Sequence, residues 1–232
     1  MIGLILAGGK CVRIINDIPY ASKVLIPVNG KTLIQHNIDY LSKYVDRIIV
    51  VVGESWKPIT EEIASRPQKV PIVIHDKEGA KSPFEAMVNM AKYINDNVLM
   101  ALGDSLLVNP DIRGFVRASK DADMLLGYVP DRPYDDIATS YSLEYNKDGT
   151  IKDLIEKPKM FTNHDKGVGY YYMSREVYKM LPDIAGKEIV DLFLYAISKG
   201  YSAKSYRVAD MEYNVNTIQV LNAVEQDLDR IA

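Results

Sequence analysis

Two glycines and two cations near the amino terminus are the residues of this chain best suited to do chemistry together. Gly8 and Gly9 end the apolar run Leu4-Ile5-Leu6-Ala7, and Arg13 and Lys23 follow on the same connection. Without a Cβ, consecutive glycines let a ligand approach the backbone and offer N–H donors to phosphate oxygens. Arg13 and Lys23 bring the positive charge that a triphosphate demands. A Gly-Gly pair after a strand is also an ordinary turn, and it is the two cations that favour a nucleotide cradle built from Leu6, Ala7, Gly8, Gly9, Arg13 and Lys23. A second group centres on Asp104, which ends the run Leu99-Met100-Ala101-Leu102-Gly103. A carboxylate there can hold a divalent cation that bridges phosphates, since magnesium prefers oxygen ligands, or it can cap the segment that follows. In Tyr213-Asn214-Val215-Asn216-Thr217, Asn216 or Thr217 reads as a simple N-cap of the last helix. Ser82-Pro83 reads as a helix start with proline in its first turn.

These groups need elements that place them on one rim. Apolar strand-like runs at 3–6, 47–52, 70–74 and 98–102 alternate with helix-length segments at 32–44, 59–65 and 83–93. That rhythm predicts βαβ units and a Rossmann-like, doubly wound, mostly parallel sheet. Ligands of such sheets sit at the carboxyl ends of the strands, which places Gly8 and Asp104 on the same edge. The second half changes character. Strand-like runs at 124–129, 140–145, 151–155 and 167–173 are joined by turn signals, including Asp148-Gly149, a hairpin cue. Tyr170, Tyr171 and Tyr172 are expected to alternate across a half-buried strand. Helices at 174–181, 189–199 and 217–230 and a strand at 203–208 complete a single domain over 1–232, with a small β-rich, acceptor-facing insertion.

Composition excludes other chemistry. The net charge of −3 over 232 residues gives no reason to expect nucleic acid or an anionic membrane. Cys11 is the one cysteine, so neither an intramolecular disulfide nor a thiolate metal cluster can form. His36, His75 and His164 lack metal-type spacing, no Ser-His-Asp order stands out, and the loop lacks the G-x-G-x-x-G of dinucleotide folds. The first apolar run is too short for a signal peptide, and no segment approaches membrane-spanning length, so a cytoplasmic protein is expected. Trp56 reads as packing or loop, and Arg113 and Arg117 as a solvated helix face. Oligomeric state is left open.

Residues 1–36 resemble the opening of the nucleotidyltransferases, particularly the sugar-phosphate nucleotidylyltransferases, whose pattern is L-A-G-G-x-G-S/T-R followed by P-K-x-L-x-P-V/I-x-G-K. The chain departs from it at Cys11, Val12 and Ser22 and keeps Arg13 and Lys23. Four further segments carry the resemblance. Gly103-Asp104 matches the family's metal ligand, and Asn216 matches the residue that completes the metal site, with Ile218-Gln219-Val220 where P-E-D is usual. Glu156-Lys157-Pro158 matches the E-K-P motif, in which the Glu binds sugar hydroxyls and the Lys the sugar phosphate. Gly169 matches a glycine whose backbone lies near the sugar, while Gly167 stands where an Asn is usual and Tyr141 where a Tyr-Gly pair leaves space. If the strand through Glu156 and Lys157 is regular, their side chains point to opposite faces, and a bulge is needed to aim both at one ligand.

The resemblance implies a Mg2+-dependent enzyme that transfers a nucleotidyl group from an NTP to a phosphorylated sugar and releases pyrophosphate. Arg13, Lys23 and Asp104 would be catalytic, Ser82 would join the nucleotide site, Glu156, Lys157 and Gly169 would bind the acceptor, and Asp104 and Asn216 the metal. A cofactor- or polyol-phosphate acceptor is the alternative on the same fold. A non-catalytic nucleotide or sugar-phosphate sensor, suggested by Cys11, Val12 and Tyr141, is the alternative outside enzymes.

Overall fold

The computed structural model describes residues 1–9, 18–147, 150–160, 163–215 and 217–231. Cys11, Val12, Arg13, Asn216 and the Asp148-Gly149 turn therefore lie outside the described residues. The first half holds β1 (Ile2–Leu6), a small hairpin of β2 (Pro27–Val28) and β3 (Lys31–Thr32), α1 (Leu33–Leu41), β4 (Arg47–Val52), α2 (Trp56–Ala64), β5 (Ile72–Asp76), α3 (Pro83–Met90) and β6 (Val98–Leu102). The second half holds β7 (Ser105–Val108), α4 (Ile112–Ala118), β8 (Met124–Val129), α5 (Tyr134–Ile137), β9 (Tyr141–Tyr145), β10 (Ile151–Glu156), β11 (Lys166–Met173), α6 (Arg175–Lys179), α7 (Ile189–Ser198), β12 (Ala203–Arg207), β13 (Met211–Asn214) and α8 (Ile218–Ile231).

Strands β1, β4 and β6 are apolar almost throughout because helices cover both of their faces, the pattern of a buried parallel sheet. β1 lies between β4 and β6, with Leu4 partnered by Ile49 and Met100, and β5 follows at the edge, all in parallel register. The nine-stranded sheet runs β10-β9-β11-β6-β1-β4-β5, with β8 branching from β11 and β12 pairing with β8. β11 is antiparallel to β6, β8 and β9, which makes the sheet mixed, as expected of this fold. Strands β9 and β10, expected as a small insertion, extend this sheet from the β11 side.

One core packs α3, α6 and α7 on one face of the sheet, and a second packs α1, α2 and α4 on the other. α1 starts where the Thr32 side chain accepts from the Gln35 N–H, and it buries Ile34, Ile38 and Leu41 against the sheet, while Leu33 packs with Ile26, Val28 and Leu106. α3 starts on Ser82, whose hydroxyl accepts from the Glu85 N–H at 3.1 Å, with Pro83 in the first turn as read from the sequence. The three consecutive tyrosines alternate across β11, but the expected half-burial is wrong. Tyr171 packs in one core, Tyr170 and Tyr172 pack in the other, and all three are buried because β11 is central. Arg113 and Arg117 are exposed on α4, and Trp56 is half-exposed at the start of α2. Among the described residues no helix is long and apolar enough to cross a membrane.

Candidate functional site

A cavity of about 780 Å3 opens at the carboxyl ends of β1, β4 and β6. Leu6, Ala7, Gly8, Gly9, Lys23, Ser82 and Asp104 all line it, so every described residue of the expected nucleotide set shares one cavity. Arg13 lies outside the described residues. The cavity adds Glu54 from the end of β4, Lys77 from the end of β5 and Asn214 from β13, none of which the sequence singled out.

The two glycines differ in what they permit. A Cβ on Gly8 would sit 3.3 Å from the Lys77 stem, and one on Gly53 would sit 2.9 Å from the Gly8 carbonyl oxygen. These two glycines let the loops after β1 and β4 touch, and Lys77 lies across them with its Nζ donating to the Gly8 carbonyl at 3.4 Å. Among the described residues, a Cβ on Gly9 would meet only the Lys23 side chain, at 3.7 Å. Among the described residues Gly9 is thus the less crowded of the two, as close approach of a ligand requires.

At the cavity wall Lys23 forms an ion pair with the Oδ2 of Asp104, both side chains being largely buried. Asp104 is held from below by Asn37, a fully buried residue of α1. Its Nδ2 donates to the carbonyls of Ser105 at 3.0 Å, Gly103 at 3.4 Å and Leu33 at 3.0 Å, and its Oδ1 accepts the Tyr170 hydroxyl. One amide therefore grips the chain on both sides of Asp104. Sequence reasoning missed Asn37, although a signal existed: it is the polar residue on the apolar stripe Leu33, Ile34, Ile38, Leu41. The Val215 N–H donates to the Asp104 carbonyl at 3.2 Å, so the strand end that leads into Asn216 lies beside Asp104.

Among the described residues no cluster of three or more His, Cys, Asp or Glu could hold a metal ion. One carboxylate at such a cavity nonetheless suits magnesium, which commonly takes one or two protein carboxylates and fills its sphere with phosphate oxygens and water. Asp104 fits that pattern.

The residues expected to bind an acceptor sit apart from the cavity wall: Glu156, Lys157 and Gly169 do not line it. Glu156 and Lys157 meet without the expected bulge between them. Lys157 adopts a left-handed φ of 46°, rare for a side chain of its kind, and this turns its ammonium back to 2.9 Å from Glu156 Oε1 and 3.6 Å from Glu188 Oε1. A 2.6 Å hydrogen bond from the Lys157 N–H to the Ser140 carbonyl fixes that turn. Burial raises the Glu156 pKa above its ordinary value despite Lys157, and the hydrogen bond to Glu156 raises that of Lys157. Gly169 is buried; its N–H points to Glu212 Oε1 at 3.4 Å, and a Cβ there would strike Leu102 at 2.8 Å.

Gly167 and Tyr141, two departures read separately in the sequence, are one feature. A Cβ on Gly167 would lie 2.0 Å from the Tyr141 ring. That ring is buried, stacks at 6.1 Å on Tyr171, and its hydroxyl donates toward the Gly127 and Val168 carbonyls at 3.2 and 3.3 Å. Tyr141 fills the volume that a side chain at 167 would take.

The profile of the MobA-like NTP transferase domain family matches residues 3–135. The bifunctional protein GlmU of Methanococcus maripaludis is 24% identical over 193 residues, which cover 81% of this chain and 44% of GlmU, so the chain spans less than half of that relative. UTP–glucose-1-phosphate uridylyltransferase AglF of Haloferax volcanii is 23% identical over 180 residues, covering 77% of this chain and 74% of AglF. Among solved structures, UDP-glucose pyrophosphorylase in complex with UDP-glucose superposes with a TM-score of 0.81 at 15% identity, covering 100% of this chain and 99% of that one. The inositol-1-phosphate CTP transferase of T. maritima superposes with a TM-score of 0.78 at 17% identity, covering 99% and 95% of the two chains. At such identities the superpositions establish the fold alone.

Proposed function

This chain belongs to the MobA-like NTP transferase domain family, and from that premise we propose that it transfers a nucleotidyl group from an NTP to a phosphorylated sugar. An oxygen of the acceptor phosphate bonds to the α-phosphorus, the bond from the α-phosphorus to the bridging oxygen breaks, and pyrophosphate leaves with that electron pair. The observation that carries this reading is the convergence of the glycine loop, Lys23 and Asp104 on one cavity.

Such chemistry asks little covalent work of the protein, and catalysis rests on positioning and charge neutralisation. The Gly9 backbone receives phosphate oxygens. Lys23 turns from Asp104 to the α-phosphate as the nucleotide enters, which frees the carboxylate. Arg13 balances the charge that develops on pyrophosphate. Asp104 and Asn216 would hold Mg2+, which when bound would offset phosphate charge. Glu156 accepts hydrogen bonds from acceptor hydroxyls, and Lys157, beside it, takes the acceptor's phosphate end.

A polyol- or cofactor-phosphate acceptor is the second reading, and Tyr141 favours it by filling volume that the related motif leaves open. The test is pyrophosphate release with Mg2+ across the common NTPs, each against sugar 1-phosphates and other phosphorylated acceptors. Release that requires one NTP and one sugar phosphate supports the first reading, and release with a polyol phosphate alone supports the second. NTP binding without release from any acceptor would overturn both in favour of a sensor.

A further inference from the structure

Lys166 is 2% exposed, and nothing in the transfer chemistry above uses it. A buried lysine is costly unless it is paired and hydrogen-bonded. Its Nζ lies 2.9 Å from Asp136 Oδ1 and 3.0 Å from Glu212 Oε2. Burial alone would depress the ammonium's pKa, but Glu212 and Asp136 outweigh it and the net shift is upward, so the group stays charged.

Each partner leads to a different part of the site. Glu212 lies on β13; its Oε1 accepts the Ser105 hydroxyl at 2.6 Å, next to Asp104, and faces the Gly169 N–H. Asp136 lies on α5 and also accepts from Arg132 Nε at 2.6 Å. The same short helix reaches the Glu156-Lys157-Pro158 turn twice. The Tyr134 hydroxyl donates to the Lys159 carbonyl at 3.0 Å, and the Ile137 carbonyl accepts from the Ser140 N–H, whose own carbonyl holds the Lys157 N–H. Polar contacts, linked through the backbone of α5 and the turn after it, thus join the acceptor turn to the residue beside Asp104, with Lys166 at the centre.

We propose that Asp136, Lys166 and Glu212 form a brace that fixes the acceptor-facing turn at Glu156-Lys157 relative to the rim at Asp104, so that all three are positioning residues for the transfer step. The inference rests on the proposed transferase reading. Misplacing reactants by about 1 Å can cost on the order of a hundredfold in rate, so loosening the brace affects how the acceptor is used while the nucleotide cavity keeps its own residues.

The experiment compares wild type with Asp136→Asn and with Asp136→Glu, and reads acceptor kcat and KM, NTP affinity by calorimetry, and thermal melting. Asp136 is suited to the test because its carboxylate is partly exposed, with side-chain exposure of 23%. Lys166→Met/Glu212→Gln, which removes the central pair together, is measured in the same way and replaces Asp136→Asn if that variant fails to fold. The brace predicts a loss of tenfold or more in acceptor kcat/KM, NTP affinity within about twofold of wild type, and partial rescue by Asp136→Glu. Lowered melting with unchanged acceptor kinetics, or an equal loss of NTP affinity, would overturn it. A wild-type control that transfers to no acceptor would instead refute the transferase reading, and the brace with it.

Discussion

Gly167→Ala is the sharpest test of how β11 packs against β9. The new methyl group would sit 2.0, 2.1 and 2.4 Å from three atoms of the Tyr141 ring, where ordinary contact needs 3.4 Å or more. The ring cannot yield cheaply, because it is 2% exposed, stacks on Tyr171 and holds its hydroxyl near two carbonyls. Overpacking a core costs roughly 1–3 kcal/mol, and displaced hydrogen bonds about 1 kcal/mol each, so a total near 3 kcal/mol is expected. For a chain of this size that corresponds to a fall in Tm of about 6–12 °C. Denaturant titration of Gly167→Ala, Tyr141→Ala and the double variant measures it. Tyr141→Ala opens the space that the methyl needs, so the double variant should be more stable than the sum of the single effects predicts, by about 2 kcal/mol. Additive effects, or a Tm fall under about 2 °C for Gly167→Ala, would refute the argument that Tyr141 dictates glycine at 167.

Asn37→Leu keeps the apolar stripe of α1 but strands the Gly103 and Ser105 carbonyls and the Tyr170 hydroxyl; it should cost about 3 kcal/mol or more in urea unfolding and lower kcat on the order of a hundredfold as Asp104 shifts. Lys23→Met removes the cation paired with Asp104, so calorimetry should show tighter Mg2+ binding without nucleotide, even as transfer is lost; unchanged or weaker Mg2+ binding would contradict that pairing. Glu156 has a folded-state pKa raised by burial, so the folded protein holds its proton more tightly than the unfolded chain does. Its contribution to stability therefore falls as pH rises from the ordinary carboxylate range through the raised value. Glu156→Gln should melt higher than wild type at pH 7 and lose that advantage below about pH 4, while its acceptor KM rises.

Much of the site was legible because glycines, cations and a carboxylate fall at strand ends, and strand ends are set by apolar periodicity. Gly8, Gly9, Lys23, Ser82 and Asp104 were readable in this way, and the structure brings them to one cavity. Asn37 was harder, since a single polar residue on an apolar helix face shows its partners only after α1 packs beneath the Asp104 turn. Lys77, Glu54 and Glu188 are charged residues on connections, and nothing local distinguishes them from solvated surface. The left-handed turn at Lys157 could not be foreseen, because it depends on Ser140, distant in sequence, receiving its N–H. The β7 and β13 pair was missed for a similar reason: each strand is short, and its partner lies across the chain. The three tyrosines misled because alternation reports which face a side chain takes, and only topology reports that both faces are covered.

The central claim is that Asp104 serves nucleotidyl transfer at this cavity. With NTP labelled at the α-phosphate, an acceptor identified by the pyrophosphate screen and Mg2+, wild type should move label into the acceptor product in step with pyrophosphate. Asp104→Ala, with unchanged circular dichroism, should move essentially none. Label transfer at the wild-type rate by that folded variant would contradict the account.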